Sequence, residues 1–212
     1  MQSKTLAVDQ KRSFIETARR AQIIECAIET IAEAGYAQTS LARIAKRAGI
    51  SAGVISYYFD GKDDLIAEVA ARVFAAGDDF IRPRVEQGQN AAAALRLFIE
   101  ASVGYIAAHP AYLIAVMNIM RAGRTESGAL RYDPALGQAR RDGIAGILGW
   151  GQGTGAFRPF SIPVMTATVI EALDAIPPEL AVDPALDLPA YAAELAELFD
   201  RATRVDAKEQ VR

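Results

Sequence analysis

A single glycine, Gly49, stands between two short segments of apolar periodicity and constrains this chain more than any other residue. Before it, Leu41, Ile44, Ala45 and Ala48 recur at the spacing of one helix face, and Thr39 or Ser40 offers an N-cap oxygen to the first free amides. At Gly49 the chain must leave that helix with a positive φ, which glycine adopts without steric cost. Ile50 then plugs the turn, and Ser51 can cap a second helix. In that helix Ile55 and Phe59 point inward, which leaves Ala52, Val54, Ser56, Tyr57 and Tyr58 for the outer face. A small residue at the crossing, Ala45, a turn glycine and a branched core residue, Ile55, are what a helix-turn-helix needs.

The stretch TSLARIAKRAGISAGVISYYFDGKDDL, Thr39 to Leu65, resembles the N-terminal signature of the TetR family of bacterial transcriptional repressors. The likeness is carried by Ile44, Ala45, Ala48, Gly49, Ile50, Ser51, Gly53, Ile55, Tyr58, Phe59, Lys62 and Leu65. Two positions depart from the commoner pattern: Ser56, where tyrosine is frequent, and Gly61, where a serine or asparagine usually caps the next helix. Beyond the first quarter of the chain the resemblance is one of outline only.

The resemblance implies an all-α fold, with an N-terminal three-helix helix-turn-helix domain over 13–61 and a larger helical ligand-binding and dimerisation domain over 62–205. It also implies a regulator, most simply a repressor, that binds a palindromic double-stranded DNA operator as a homodimer and is released by a small-molecule effector. The DNA face is then Thr39, Arg43, Ser51, Ala52, Gly53, Ser56, Tyr57, Tyr58 and Lys62, with Tyr58 and Lys62 expected on phosphates and Ser56 and Tyr57 on base edges.

Charge distribution agrees with that placement. The formal net charge is only -3, yet residues 1–62 carry nine Lys and Arg against six Asp and Glu, so the basic third is the helix-turn-helix third. Cys26 is alone, which excludes an intramolecular disulfide and fits the cytoplasm. The N-terminus lacks the apolar run of a signal peptide, and the run from Ala111 to Ile119 is too short to span a bilayer, so no membrane partner is expected.

Along the rest of the chain every periodic segment reads as helix. Residues 1–12 lack periodicity and read as a loose arm, as do residues 206–212. Ile24, Ala27, Ile28 and Ile31 define a helix from Thr17 that Gly35 ends. A connector helix from Lys62 or Asp63 should stop before Pro83, and Asn90 caps a long helix ending at His109. Tyr112 to Met120 is apolar on nearly all sides and marks a buried helix, within which the Asn118 amide must find either a backbone partner or a ligand. Phe98, Tyr105, Met117, Asn118 and Trp150 are the candidate ligand-binding set, although aromatics and methionines at helical spacing also make plain core. The glycines after Trp150 read as a flexible connection, because a dinucleotide loop would need a preceding strand. A helix over 162–176, ended by Pro177 and Pro178, and a last helix from about Pro189 to Arg204 present the candidate dimer face: Val164, Thr168, Ala172, Tyr191, Leu195, Leu198 and Phe199.

Enzyme chemistry is poorly provided for. His109 is the one histidine and Cys26 the one cysteine, so neither a zinc site nor a histidine-based triad can be assembled, and the carboxylates are scattered over solvent faces. No metal or cofactor is expected. The alternative function is a helical small-molecule carrier or enzyme whose N-terminal motif is purely structural.

Overall fold

The computed structural model describes residues 2–125 and 128–205, with side chains from Ile15 onward; the tail at 206–212 lies outside the described residues. The elements are helices, in agreement with the all-α expectation: α1 (Gln2–Gln38), α2 (Leu41–Ala48), α3 (Ala52–Tyr58), α4 (Lys62–Val85), α5 (Ala91–Ala108), α6 (Pro110–Arg121), α7 (Gln138–Gly153), α8 (Ile162–Asp174), α9 (Ile176–Val182) and α10 (Leu188–Thr203). A 3-10 turn at Pro134–Gly137 precedes α7. Contacts divide the chain into two units, Met1–Val73 with Ile114–Asp133, and Phe74–Leu113 with Pro134–Arg212.

In the first unit α1 is helical from Gln2, where a loose arm was expected over 1–12. Residues 2–12 contain no glycine or proline, so nothing there interrupts a helix propagating from the packed part. Gly35, at φ 74 and ψ 163, breaks the helix where the sequence places the break. Ile23, Ile24, Ala27, Ile28 and Ile31 of α1 are buried, as are Ile44, Ala45, Ile55, Phe59, Leu65, Ile66 and Val69. Each fully buried aliphatic side chain contributes about 1.5–3 kcal/mol relative to exposure, against about 1 kcal/mol for a good cap; burial holds this unit and the caps set its register.

The division also assigns α6 from Ile114 to the helix-turn-helix unit, whereas the sequence boundary at 62 puts it with the regulatory domain. Asn118 of α6 donates to the Ile31 carbonyl at 3.4 Å, a backbone partner 87 residues away that no local pattern announces.

The second unit is built around α5, which packs on α10 and α7 and more lightly on α8 and α9. Leu95, Phe98, Ile99, Val103, Ile144, Leu148, Val169, Leu173 and Phe199 are among its core residues. Helix α5 corrects the expectation drawn from Ala111–Ile119: its 18 residues, at a mean hydropathy of 1.4, are long and apolar enough to cross a membrane. Its ten buried side chains give the other reason for such a composition, the core of a helical unit.

Three boundaries differ from the sequence reading. Helix α4 continues past Pro83 to Val85: the proline lacks the amide that would reach the Asp79 carbonyl, yet its fixed φ is helical and only two residues follow it in the helix. Helix α7 runs through the glycines to Gly153 instead of ending in a flexible connection, and the Phe157 amide donates to the Gly151 carbonyl at 3.0 Å. Pro177 and Pro178 do not simply end α8: they occupy the first turn of α9, where a missing N–H costs nothing.

Candidate nucleic-acid interface

Helix α2 starts as the sequence requires. The Ser40 hydroxyl accepts from the Arg43 amide at 3.2 Å, and the helix ends at Gly49 in the left-handed region, φ 66 and ψ 32. The Ile50 amide then donates to the Ala45 carbonyl at 3.0 Å, which closes the turn. Ser51 opens α3 in an extended conformation without a side-chain cap bond. With Ile55 and Phe59 fully inward, α3 presents Ser51, Ala52, Gly53, Ser56 and Tyr57 to solvent, and Tyr57 is 69% exposed. Tyr58 is half-buried and meets the Tyr57 ring edge-on, centroids 5.0 Å apart. Gly61, at φ 119, turns the chain into α4, where the Asp64 carboxylate accepts from the Asp60 amide at 3.0 Å.

The remaining predicted residues divide. Arg43 is exposed on α2 and donates to the Gln38 carbonyl at 3.3 Å. Thr39 is 3% exposed and its hydroxyl donates to the Gly35 carbonyl at 2.8 Å, so it supports the face from beneath. Lys62 is half-buried: its ammonium donates to the Tyr36 carbonyl at 3.2 Å and lies 4.1 Å from the Tyr36 ring centroid. Burial, and after it the charge of Arg131, lowers the Lys62 pKa, with Asp63 acting in the opposite sense.

Two groups that sequence reasoning missed fix this face. Arg20 of α1 donates to the Tyr58 carbonyl at 2.7 Å, pairs with Glu68 at 3.0 Å and lies 4.5 Å from the Phe59 ring centroid, clamping the end of α3 against α1 and α4. Tyr36 is the hub of the second. Its hydroxyl is 3.3 Å from Asp63 and also accepts from Arg131, which pairs with Asp63 at 2.6 Å. Burial is the first cause that raises the Tyr36 phenol pKa. An aromatic directly after the helix-breaking Gly35 was the available signal for Tyr36; nothing local signals Arg131.

The candidate ligand residues do not fall in one unit. Met117 and Asn118 belong to the first, while Phe98, Tyr105 and Trp150 belong to the second. There Phe98 lies in the core, Trp150 is 43% exposed, and Tyr105 joins an aromatic group instead. Its ring is 5.7 Å from Phe80 and 5.1 Å from His109, whose own ring is 5.1 Å from Tyr112. Of the candidate dimer residues, Val164 and Leu198 are 65% and 57% exposed and Thr168 is exposed; Ala172, Tyr191 and Leu195 are half-buried against the core, and Phe199 lies within it.

The fold and this face define a class: an all-helical protein with a helix-turn-helix near its N-terminus. Residues 23–69 match the family described as bacterial regulatory proteins, tetR family, and the chain carries the N-terminal domain of that family. The HTH-type transcriptional regulator BetI 1 of Chromohalobacter salexigens is 46% identical over 70 residues, 33% of this chain and 35% of that protein. The chain thus spans about a third of the length of the relative it matches. Among solved structures, a transcriptional regulator FadR from Bacillus subtilis in complex with stearoyl-CoA superposes with a TM-score of 0.75 at 23% identity, covering 84% of this chain and 96% of that one. AibR in complex with isovaleryl coenzyme A and operator DNA gives a TM-score of 0.73 at 17% identity over 85% of this chain and 97% of that one. Those two likenesses are of fold.

Proposed function

We propose that this protein is a ligand-responsive transcriptional regulator, a cytoplasmic repressor that binds a palindromic operator as a homodimer and leaves it when a small molecule binds. The outer face of α3 carries the reading. Ser51, Ala52, Gly53, Ser56 and Tyr57 are exposed on a helix whose other side is fixed by Ile55, Phe59 and the Arg20 clamp. Small residues at 51–53 let the helix backbone approach a phosphate closely, and Ser56 and Tyr57 stand where side chains reach base edges in a major groove. Arg43 and Lys62 flank them with positive charge. That the matched relative is named a transcriptional regulator supports the same reading.

Dimerisation is assigned to the outward residues of α8 and α10, Val164, Thr168 and Leu198, which leave apolar surface on the second unit. Effector recognition is assigned to the second unit, where Phe80, Tyr105, His109 and Tyr112 group their rings. The effector acts through its differential affinity for the DNA-bound and free arrangements, a coupling on the order of 1–3 kcal/mol.

Selection from a pool of random-sequence duplexes tests the reading. Enrichment of an inverted repeat is expected, and a pool that stays random after repeated rounds at moderate salt would refute it.

A further inference from the structure

This inference rests on the reading of α2 and α3 as a DNA face and adds to it a residue outside the matched domain. Arg131 lies 62 residues beyond the end of that domain, after α6, yet its side chain is only 14% exposed and is docked on the helix-turn-helix unit. The guanidinium pairs with Asp63 at 2.6 Å, donates to the Tyr36 hydroxyl, and lies 4.6 Å from the Tyr36 ring centroid. The same ring carries the Lys62 ammonium at 4.1 Å. One phenol ring therefore gathers two cations and one carboxylate at the start of α4, beside the residue expected to contact phosphate.

We propose that Arg131 is a positioning residue for operator binding: by neutralising Asp63 and packing on Tyr36, it keeps Lys62 available to DNA phosphate. Asp63 is 55% exposed and adjacent in sequence to Lys62, so without Arg131 it is an anion with only the Tyr36 hydroxyl, 3.3 Å away, beside the residue expected on phosphate. Such an anion repels phosphate and offers Lys62, which already meets the Tyr36 carbonyl and ring, a charged partner that competes with DNA. With Arg131 in place the carboxylate is already satisfied, by a guanidinium geometry that a lysine does not reproduce. Asp63 and Tyr36 together hold this half-buried cation, whose Nε has no hydrogen-bond partner among the described residues. Arg131 also ties the segment following α6 to the DNA face, so a shift of that segment alters phosphate affinity without touching α3.

The test uses the full chain and a duplex that the wild-type protein selects from a random pool. Affinity and its salt dependence are measured by fluorescence anisotropy for R131Q, D63N, the double variant, and R131Q in a K62A background, with circular dichroism confirming that each is folded. R131Q should weaken binding severalfold and lower the salt slope by about one. D63N should restore most of the loss in the double variant, and R131Q should change the slope no further once Lys62 is gone. Wild-type affinity and slope in R131Q would overturn the inference while leaving the function intact. So would a loss that D63N does not relieve, or one that persists undiminished in the K62A background, since either marks Arg131 as merely structural. If the wild-type protein selects no duplex, the function and the inference fall together.

Discussion

The Phe157 ring lies against the backbone of Gly151 so closely that a β-carbon on Gly151 would sit 2.0 Å from Phe157 Cδ2. Both residues are buried, and the contact joins the last turn of α7 to the segment entering α8. Gly151→Ala should therefore destabilise the protein by about 1–3 kcal/mol, because displacing a buried ring outweighs the helix propensity gained. Gly149→Ala, two residues earlier, meets its nearest neighbour at an ordinary 3.8 Å and should be neutral or stabilising by up to about 1 kcal/mol. Urea unfolding of the two variants measures the contrast; equal effects would contradict it.

Arg20 makes three contacts at once, to the Tyr58 carbonyl, Glu68 and the Phe59 ring. Arg20→Ala should cost about 1–2 kcal/mol, chiefly through the charged hydrogen bond, since the pair with Glu68 is partly exposed and worth less. Arg20→Lys should recover only part of it, because an ammonium cannot reproduce the planar contacts. Thermal unfolding distinguishes the three proteins, and a stable Arg20→Ala would remove the clamp from the account.

Two serines at helix starts should behave differently. The Ser40 hydroxyl caps α2, so Ser40→Ala should lose about 1 kcal/mol. Ser51 makes no cap bond, so Ser51→Ala should leave stability nearly unchanged while weakening DNA binding. A Ser51→Ala that is as unstable as Ser40→Ala would argue for a structural serine at both positions.

Val164 and Leu198 face outward without contributing to the core, unlike Phe199 one residue further along. Val164→Glu and Leu198→Glu should each shift the protein from dimer to monomer in sedimentation velocity with little loss of helicity, and operator affinity should fall with the dimer. A monomeric wild-type protein, or variants that stay dimeric, would place the interface elsewhere.

The helix-turn-helix was legible because its determinants are local: Gly49, Ala45 and Ile55 lie within 11 residues and each has one role. The long-range contacts of that same unit were not. Arg131 reaches Asp63 across 68 positions and Asn118 reaches Ile31 across 87, and neither shows in any periodicity. Glycine and proline misled in the opposite direction. A glycine run looked like a connection because the ring that occupies Gly151 comes six residues later, and Pro177 with Pro178 looked like a stop because proline ends one helix and opens another by the same missing N–H. For the candidate ligand residues, spacing identified positions on helix faces but not which unit each belongs to.

Hydroxyl-radical footprinting of the selected duplex reads out how α3 meets the operator. A homodimer reading DNA through α3 should protect two segments on one face of the duplex, about one helical turn or 34–36 Å apart, and Tyr57→Ala should alter the preferred bases within both segments alike. A single protected segment, or protection that ignores substitution at Ser56 and Tyr57, would contradict that arrangement.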